Sequence, residues 1–133
     1  MAAKVEYSAT TRQISVTVRP TYLDDQSAPE NNHFAWAYHV NNRGSETVQL
    51  RSRYWRITNA RGEVREVRGP GVVGEQPRLE PGEAFGYTSG VPLTTPSGIM
   101  TGSYQMENLH GESFDVQIPA FSLDSPHQPV KLN

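Results

Sequence analysis

Short segments in which apolar and polar side chains alternate, each closed by glycine or proline, restrict this chain to one class of fold. QISVTVRP sets Ile14, Val16 and Val18 on one face and Ser15, Thr17 and Arg19 on the other, and Pro20 ends the run. HFAWAYHV sets Phe34, Trp36, Tyr38 and Val40 on one face, opposite Ala35, Ala37 and His39, and runs into the turn NNRGS. TVQLRSRYWRITN alternates too, but its phase slips: Val48 and Leu50 share one parity, Trp55 and Ile57 the other. A bulge or a switch of face between the two halves accounts for the slip. EVREVRG, EAFGYTSGV, GIMTGSYQME and ESFDVQIPAFSLD continue the pattern, separated by NARG, PGE and NLHG turns. Pro119 interrupts the last of them, which must lie at an edge or bend there.

No stretch carries an apolar face at helical spacing over three turns. Ten prolines and eleven glycines punctuate the chain. The pattern predicts an all-β fold, an antiparallel β-sandwich of about seven to eight strands with immunoglobulin-like or fibronectin type III character. A small barrel shares the same periodicity. With 133 residues the chain has the length of one domain. We place that domain at residues 1–124, followed by a loose tail at 125–133. Residues 21–32, TYLDDQSAPENN, read as a polar crossing loop, and EQPRLEP as an extended connection.

Composition narrows the function classes. There is no cysteine, hence no disulfide framework and no thiolate chemistry. The first residues, MAAKVEYSATTRQ, hold no apolar run like a signal peptide. No segment approaches the roughly 20 apolar residues of a membrane helix. The expectation is a cytoplasmic protein without a membrane partner. The net charge of -2 conceals an asymmetry. Residues 43–78 hold eight arginines and four glutamates, a balance of +4, while the remainder holds four cations and ten acids, a balance of -6. The alternation of signs within the basic segment reads as a mixed surface. Nucleic-acid binding would need a denser patch and is not expected.

One motif invites a sharper reading. Gly69, Gly71 and Gly74 in GPGVVGEQP have the G-x-G-x-x-G spacing of a dinucleotide loop. That loop needs a helix beginning inside it, whose free amides hold the pyrophosphate. Here Pro70 lies within the motif, and Pro77, Pro81 and Gly82 follow before the next strand-like segment. No acid lies between Glu83 and Glu107 to hold a ribose, and Glu75 and Gln76 stand where a phosphate loop carries Lys and Ser or Thr. The glycines therefore read first as backbone geometry, in positions that need positive φ. The functional alternative is a surface loop with Val72 and Val73 at an apolar tip, docking a protein or holding a small anion on its amides.

Longer blocks carry a resemblance. RPTYLDDQS, WAYHVNNRG, RSRYWRITNARG, GPGVVGEQP, LEPGEAFGYTSG, TPSGIMTGSYQM and IPAFSL follow in the order of the ApaG (CorD) family. The chain resembles that family from about residue 7 to residue 123. The resemblance implies a fibronectin type III or immunoglobulin-like sandwich, in which the glycine motif is a hallmark. It implies an association with cobalt resistance and magnesium efflux, no accepted catalytic activity, and use as an interaction domain inside certain eukaryotic F-box proteins and a polymerase delta-interacting protein. The chain departs from the family at Pro70, where an acid is usual. It departs at Arg53-Tyr54-Trp55, where Arg-His-Trp is usual, and in HFAWAYHV, which reaches its turn about two residues early.

Chemistry-bearing clusters are sparse. His33, His39, His110 and His127 form no His-x-His or His-x-x-x-His pair. Asp24, Asp25 and Glu30, with His33, make the densest oxygen-rich group, and an acidic loop of this kind reads as solvated. No nucleophile elbow or acid–base pair stands out. The expectation is a non-enzymatic module without metal or cofactor. Its candidate binding loop comprises Gly69, Gly71, Val72, Val73, Gly74, Glu75 and Gln76, with Arg53, Arg65, Arg68 and Arg78 as candidate contacts. An unidentified protein is the expected partner, and a weak homodimer through a sheet edge is compatible with the fold. The alternative is a pyrophosphate or nucleotide binder through loop 69–77.

Overall fold

A computed structural model describes residues 6–23, 27 and 32–124. The described residues form nine strands: β1 (Tyr7–Thr11), β2 (Ile14–Tyr22), β3 (Asn32–Asn42), β4 (Val48–Asn59), β5 (Val64–Pro70), β6 (Arg78–Leu79), β7 (Ala84–Leu93), β8 (Ser97–Asn108) and β9 (Ser113–Asp124). β1, β2, β3 and β7 form one antiparallel sheet in that order, and β5, β4, β8 and β9 form the other. The two-residue β6 pairs with β4 beside β5. This is an immunoglobulin-like β-sandwich, with no helix among the described residues. The strand count exceeds the expected seven or eight because β1 and β6, of five and two residues, are too short to show as alternating apolar runs.

The alternating side chains meet between the sheets. Ile14, Val16 and Val18 of β2 and Phe34, Trp36, Tyr38 and Val40 of β3 face Trp55, Met100, Tyr104, Val116 and Ile118 of the other sheet, all buried. Tyr38 stacks on Trp55 with centroids 5.0 Å apart, and Trp36 meets Phe121 edge-on at 6.0 Å. Phe85 and Phe114 are only partly buried against this core. Asn42 is buried where β3 leaves its sheet. Its amide donates to the carbonyls of Glu46 (2.7 Å) and Leu79 (3.0 Å), and its carbonyl oxygen accepts from the Gly44 amide (3.0 Å). The crossing between sheets is thereby fastened to β6.

Both irregularities read from the sequence are present. Between β4 and β8 the register shifts from Leu50↔Met106 to Ser52↔Gln105, so Arg51 is the extra residue of a bulge. Leu50 before it and Arg53, Trp55 and Ile57 after it then face inward. Between β8 and β9 the register passes from Met100↔Phe121 to Gly102↔Ile118, so Pro119 and Ala120 together oppose Thr101 and the strand bends. Residues 125–133, expected as a tail, lie outside the described residues.

Candidate functional site: the glycine loop on the edge of β4

β5 and β6 occupy the same side of β4, one after the other, and residues 71–77 are the excursion between them. The loop is fastened at the β4 bulge. The Arg51 carbonyl accepts from the Gly71 amide (2.8 Å) and from Nε2 of Gln76 (2.8 Å). Leu50 N donates to Pro77 O (2.9 Å), and Gln49 Nε2 to Gln76 O (3.0 Å). A bulge turns an extra backbone carbonyl out of the ladder, and here the loop uses it.

Inside the excursion, Val72 and Glu75 exchange two backbone hydrogen bonds, 2.8 and 2.9 Å. Val73 and Gly74 between them have φ of 43° and 81°. Positive φ at both central residues marks a two-residue hairpin of type I′. Each glycine of the motif then has its own reason. Gly74 occupies the second left-handed position. Gly71 has φ 59°, and a Cβ there would penetrate the Glu75 carbonyl. Gly69 lies under the Arg53 guanidinium, 3.1 Å from where a Cβ would stand.

The two valines part company. Val72 is 0% exposed and belongs to the core, whereas Val73 is 58% exposed at the turn. The apolar tip read from the sequence is thus Val73 alone, because the tight hairpin turns consecutive side chains to opposite sides. Val73 is also out of place by backbone rules. The left-handed region disfavours β-branched residues, and the first central position of a type I′ turn favours Asn, Asp or Gly.

The four candidate arginines do not converge. Arg53 faces inward, and its Nη1 donates to the carbonyls of Pro70 (3.1 Å) and Gly71 (2.9 Å), clamping the loop. It lies close enough to the paired hydroxyls of Tyr87 and Tyr104, 2.6 Å apart, that its charge opposes the upward push of burial on both phenols. Arg65 sits opposite Ile57 and lines a groove of about 250 Å³ with Pro92 and Leu93. Arg68 faces outward over the Tyr54 ring, 4.3 Å from its centroid. Arg78 lies beyond the loop on β6, opposite Gln49. Three loop amides, those of Gly71, Val72 and Glu75, already donate to backbone carbonyls.

Among the described residues, no three His, Asp or Glu side chains group as a metal site. Asp24, Asp25 and Glu30 lie outside the described residues, as does the side chain of His33. No helix of the described residues is long and apolar enough to cross a membrane. Sequence reasoning missed Gln49 and Arg51 as anchors of the loop. The phase slip locates the bulge, but nothing in the pattern says that the loop would return to it.

A family model described as the ApaG domain matches residues 24–108. The proteins named Protein ApaG from Rhodospirillum centenum and Paramagnetospirillum magneticum are 68% and 65% identical over 129 residues, 96% of this chain and 99% of each relative. A Bordetella pertussis protein whose crystal structure carries the ApaA designation superposes with a TM-score of 0.83 at 45% identity, covering 86% of this chain and 95% of that one. Matches of this length and identity, over a chain that folds as the motifs imply, establish that the protein belongs to the ApaG family.

Proposed function

We propose that the protein is a non-enzymatic interaction module and that loop 69–77 docks a partner protein through Val73. The supporting observation is the combination at that residue. Val73 is a β-branched side chain held at φ 43° and 58% exposed, on a hairpin that the Arg53 and Gln76 clamps hold in place. Left-handed backbone costs a non-glycine residue about 1–2 kcal/mol. An apolar residue held in such a conformation, with its side chain toward solvent, suits a contact made on a rigid projection. The buried neighbour Val72 supplies that rigidity, since the tip cannot move without drawing it from the core.

The same geometry gives less support to an anion site. The arginines point apart, and three loop amides are already used. The test is photo-crosslinking in the source cell, with a photoreactive residue at position 73 and, as control, at Thr17 on the far sheet. A discrete adduct from position 73 alone is expected. Equal or absent adducts from both positions would count against the loop.

A further inference from the structure

The second sheet ends in a strand with an unshifted register. β5 runs Val64–Pro70 against β4 from Thr58↔Val64 to Ser52↔Pro70 without a shift. The other edges are less regular. β6 has two residues, β1 has five, β7 carries Gly86, Gly90 and Pro92, and β9 is bulged at Pro119.

Two hydrogen bonds fix which way the β5 backbone points. Asn59 N donates to Glu63 O (3.0 Å) at one end, and Gly71 N to Arg51 O (2.8 Å) at the other. In an antiparallel ladder these directions alternate. Residues 65, 67 and 69 therefore bond β4, and the backbone groups of Val64, Glu66, Arg68 and Pro70 point outward. Side chains alternate as well. Glu66 and Arg68 lie on the outer face with Arg56 and Tyr54 opposite, while Val67 faces inward and packs against the core.

We propose that β5 pairs antiparallel with β5 of a second copy, about a two-fold axis through Val67. A two-fold normal to the sheet sets one residue opposite itself. Setting Arg65, Glu66 or Arg68 on the axis places like charges face to face, which destabilises a cross-strand pair. Val67 is the uncharged choice among the four. With Val67 on the axis, Glu66 stands opposite Arg68 of the second copy and the two exchange both backbone hydrogen bonds. The Val64 amide reaches the Pro70 carbonyl of the second copy, and the missing Pro70 amide leaves no donor idle. Arg65 meets Gly69, which has no side chain to block it.

Within one chain the two charges already meet on the outer face, so the pairing adds a second partner to each. Tyr54 donates to Glu66 Oε2 (2.6 Å), and Arg68 lies over the Tyr54 ring with Nη2 3.8 Å from the same carboxylate oxygen. Arg53 covers Gly69 on the inner face, so Arg65 of the second copy approaches a like charge. The pairing is accordingly a weak, concentration-dependent one. It is independent of the loop reading above.

The chain has no cysteine, so a single one reports on the axis. Facing residues of a non-hydrogen-bonded pair have Cα atoms about 4.5 Å apart, within disulfide range. Under mild oxidation, V67C should form a covalent dimer while V64C stays monomeric. In the V67C background, E66R or R68E should each slow cross-linking about tenfold, and the double swap should restore it. In the native chain, raising the concentration from about 20 μM to about 1 mM should shift the amides of Val64, Glu66 and Arg68 more than those of 65 and 67. Dimers of E66C but not V67C, or concentration-independent β5 amides, would overturn the proposal.

Discussion

Replacing each glycine of the motif by alanine separates backbone geometry from ligand binding, because the structure ranks the three. At Gly71 the added methyl meets the Glu75 carbonyl, a backbone atom that cannot move unless the hairpin opens. Opening breaks the Val72–Glu75 pair of hydrogen bonds, about 1 kcal/mol each. It also begins to expose Val72, whose full burial is worth about 1.5–3 kcal/mol. With about half of that burial lost and about 1 kcal/mol for a Cβ at φ 59°, G71A should cost about 4 kcal/mol. At Gly74 nothing lies near the methyl, and the cost is that of φ 81° for a residue with a Cβ, about 1 kcal/mol. At Gly69 the neighbour is the end of the Arg53 side chain, which can shift, and the cost is below about 1 kcal/mol. For a chain of this size 1 kcal/mol moves Tm by about 3–4 °C, so urea and thermal unfolding resolve the series. A G71A variant as stable as the parent would refute the packing argument.

Two buried phenols and a half-buried third make stability fall in alkali. Burial pushes the hydroxyls of Tyr38, Tyr87 and Tyr104 above the usual range, so each stays protonated in the folded chain where the unfolded chain ionises. Their contribution is complete below pH ~10 and is lost as pH rises, by about 4 kcal/mol in all between pH 9 and 11, as the three phenols ionise in the unfolded chain. Urea titrations between pH 9 and 11 should show that decline, with tyrosinate absorbance from these residues appearing only on unfolding. Asn42 is the second stability point. Asn42→Ala removes hydrogen bonds to Glu46, Leu79 and Gly44, and should cost about 2–4 kcal/mol in urea unfolding.

Much of the fold is legible because burial follows parity. Ile14, Val16 and Val18, and Phe34 through Val40 by twos, occupy the faces their spacing predicts. Even the bulge at Arg51 shows as a phase slip. Less of the loop is legible. Val72 and Val73 are the same residue type at adjacent positions, and only the fastening at Arg51 and the left-handed turn decide that one is core and the other surface. Arg53 does carry a signal: it shares parity with Trp55 and Ile57, so an inward arginine is implied once the bulge is placed. Its carbonyl partners come from a loop 17 and 18 residues away, and local pattern does not reach them.

The docking role of the tip is tested most directly by V73N, measured for stability and for affinity toward the partner that position 73 cross-links. Asparagine accepts the left-handed backbone, so stability should rise by about 1 kcal/mol while the apolar contact is lost. The predicted result is a higher Tm with binding weakened at least about tenfold. A higher Tm with unchanged affinity would contradict the proposal and leave Val73 as unused strain.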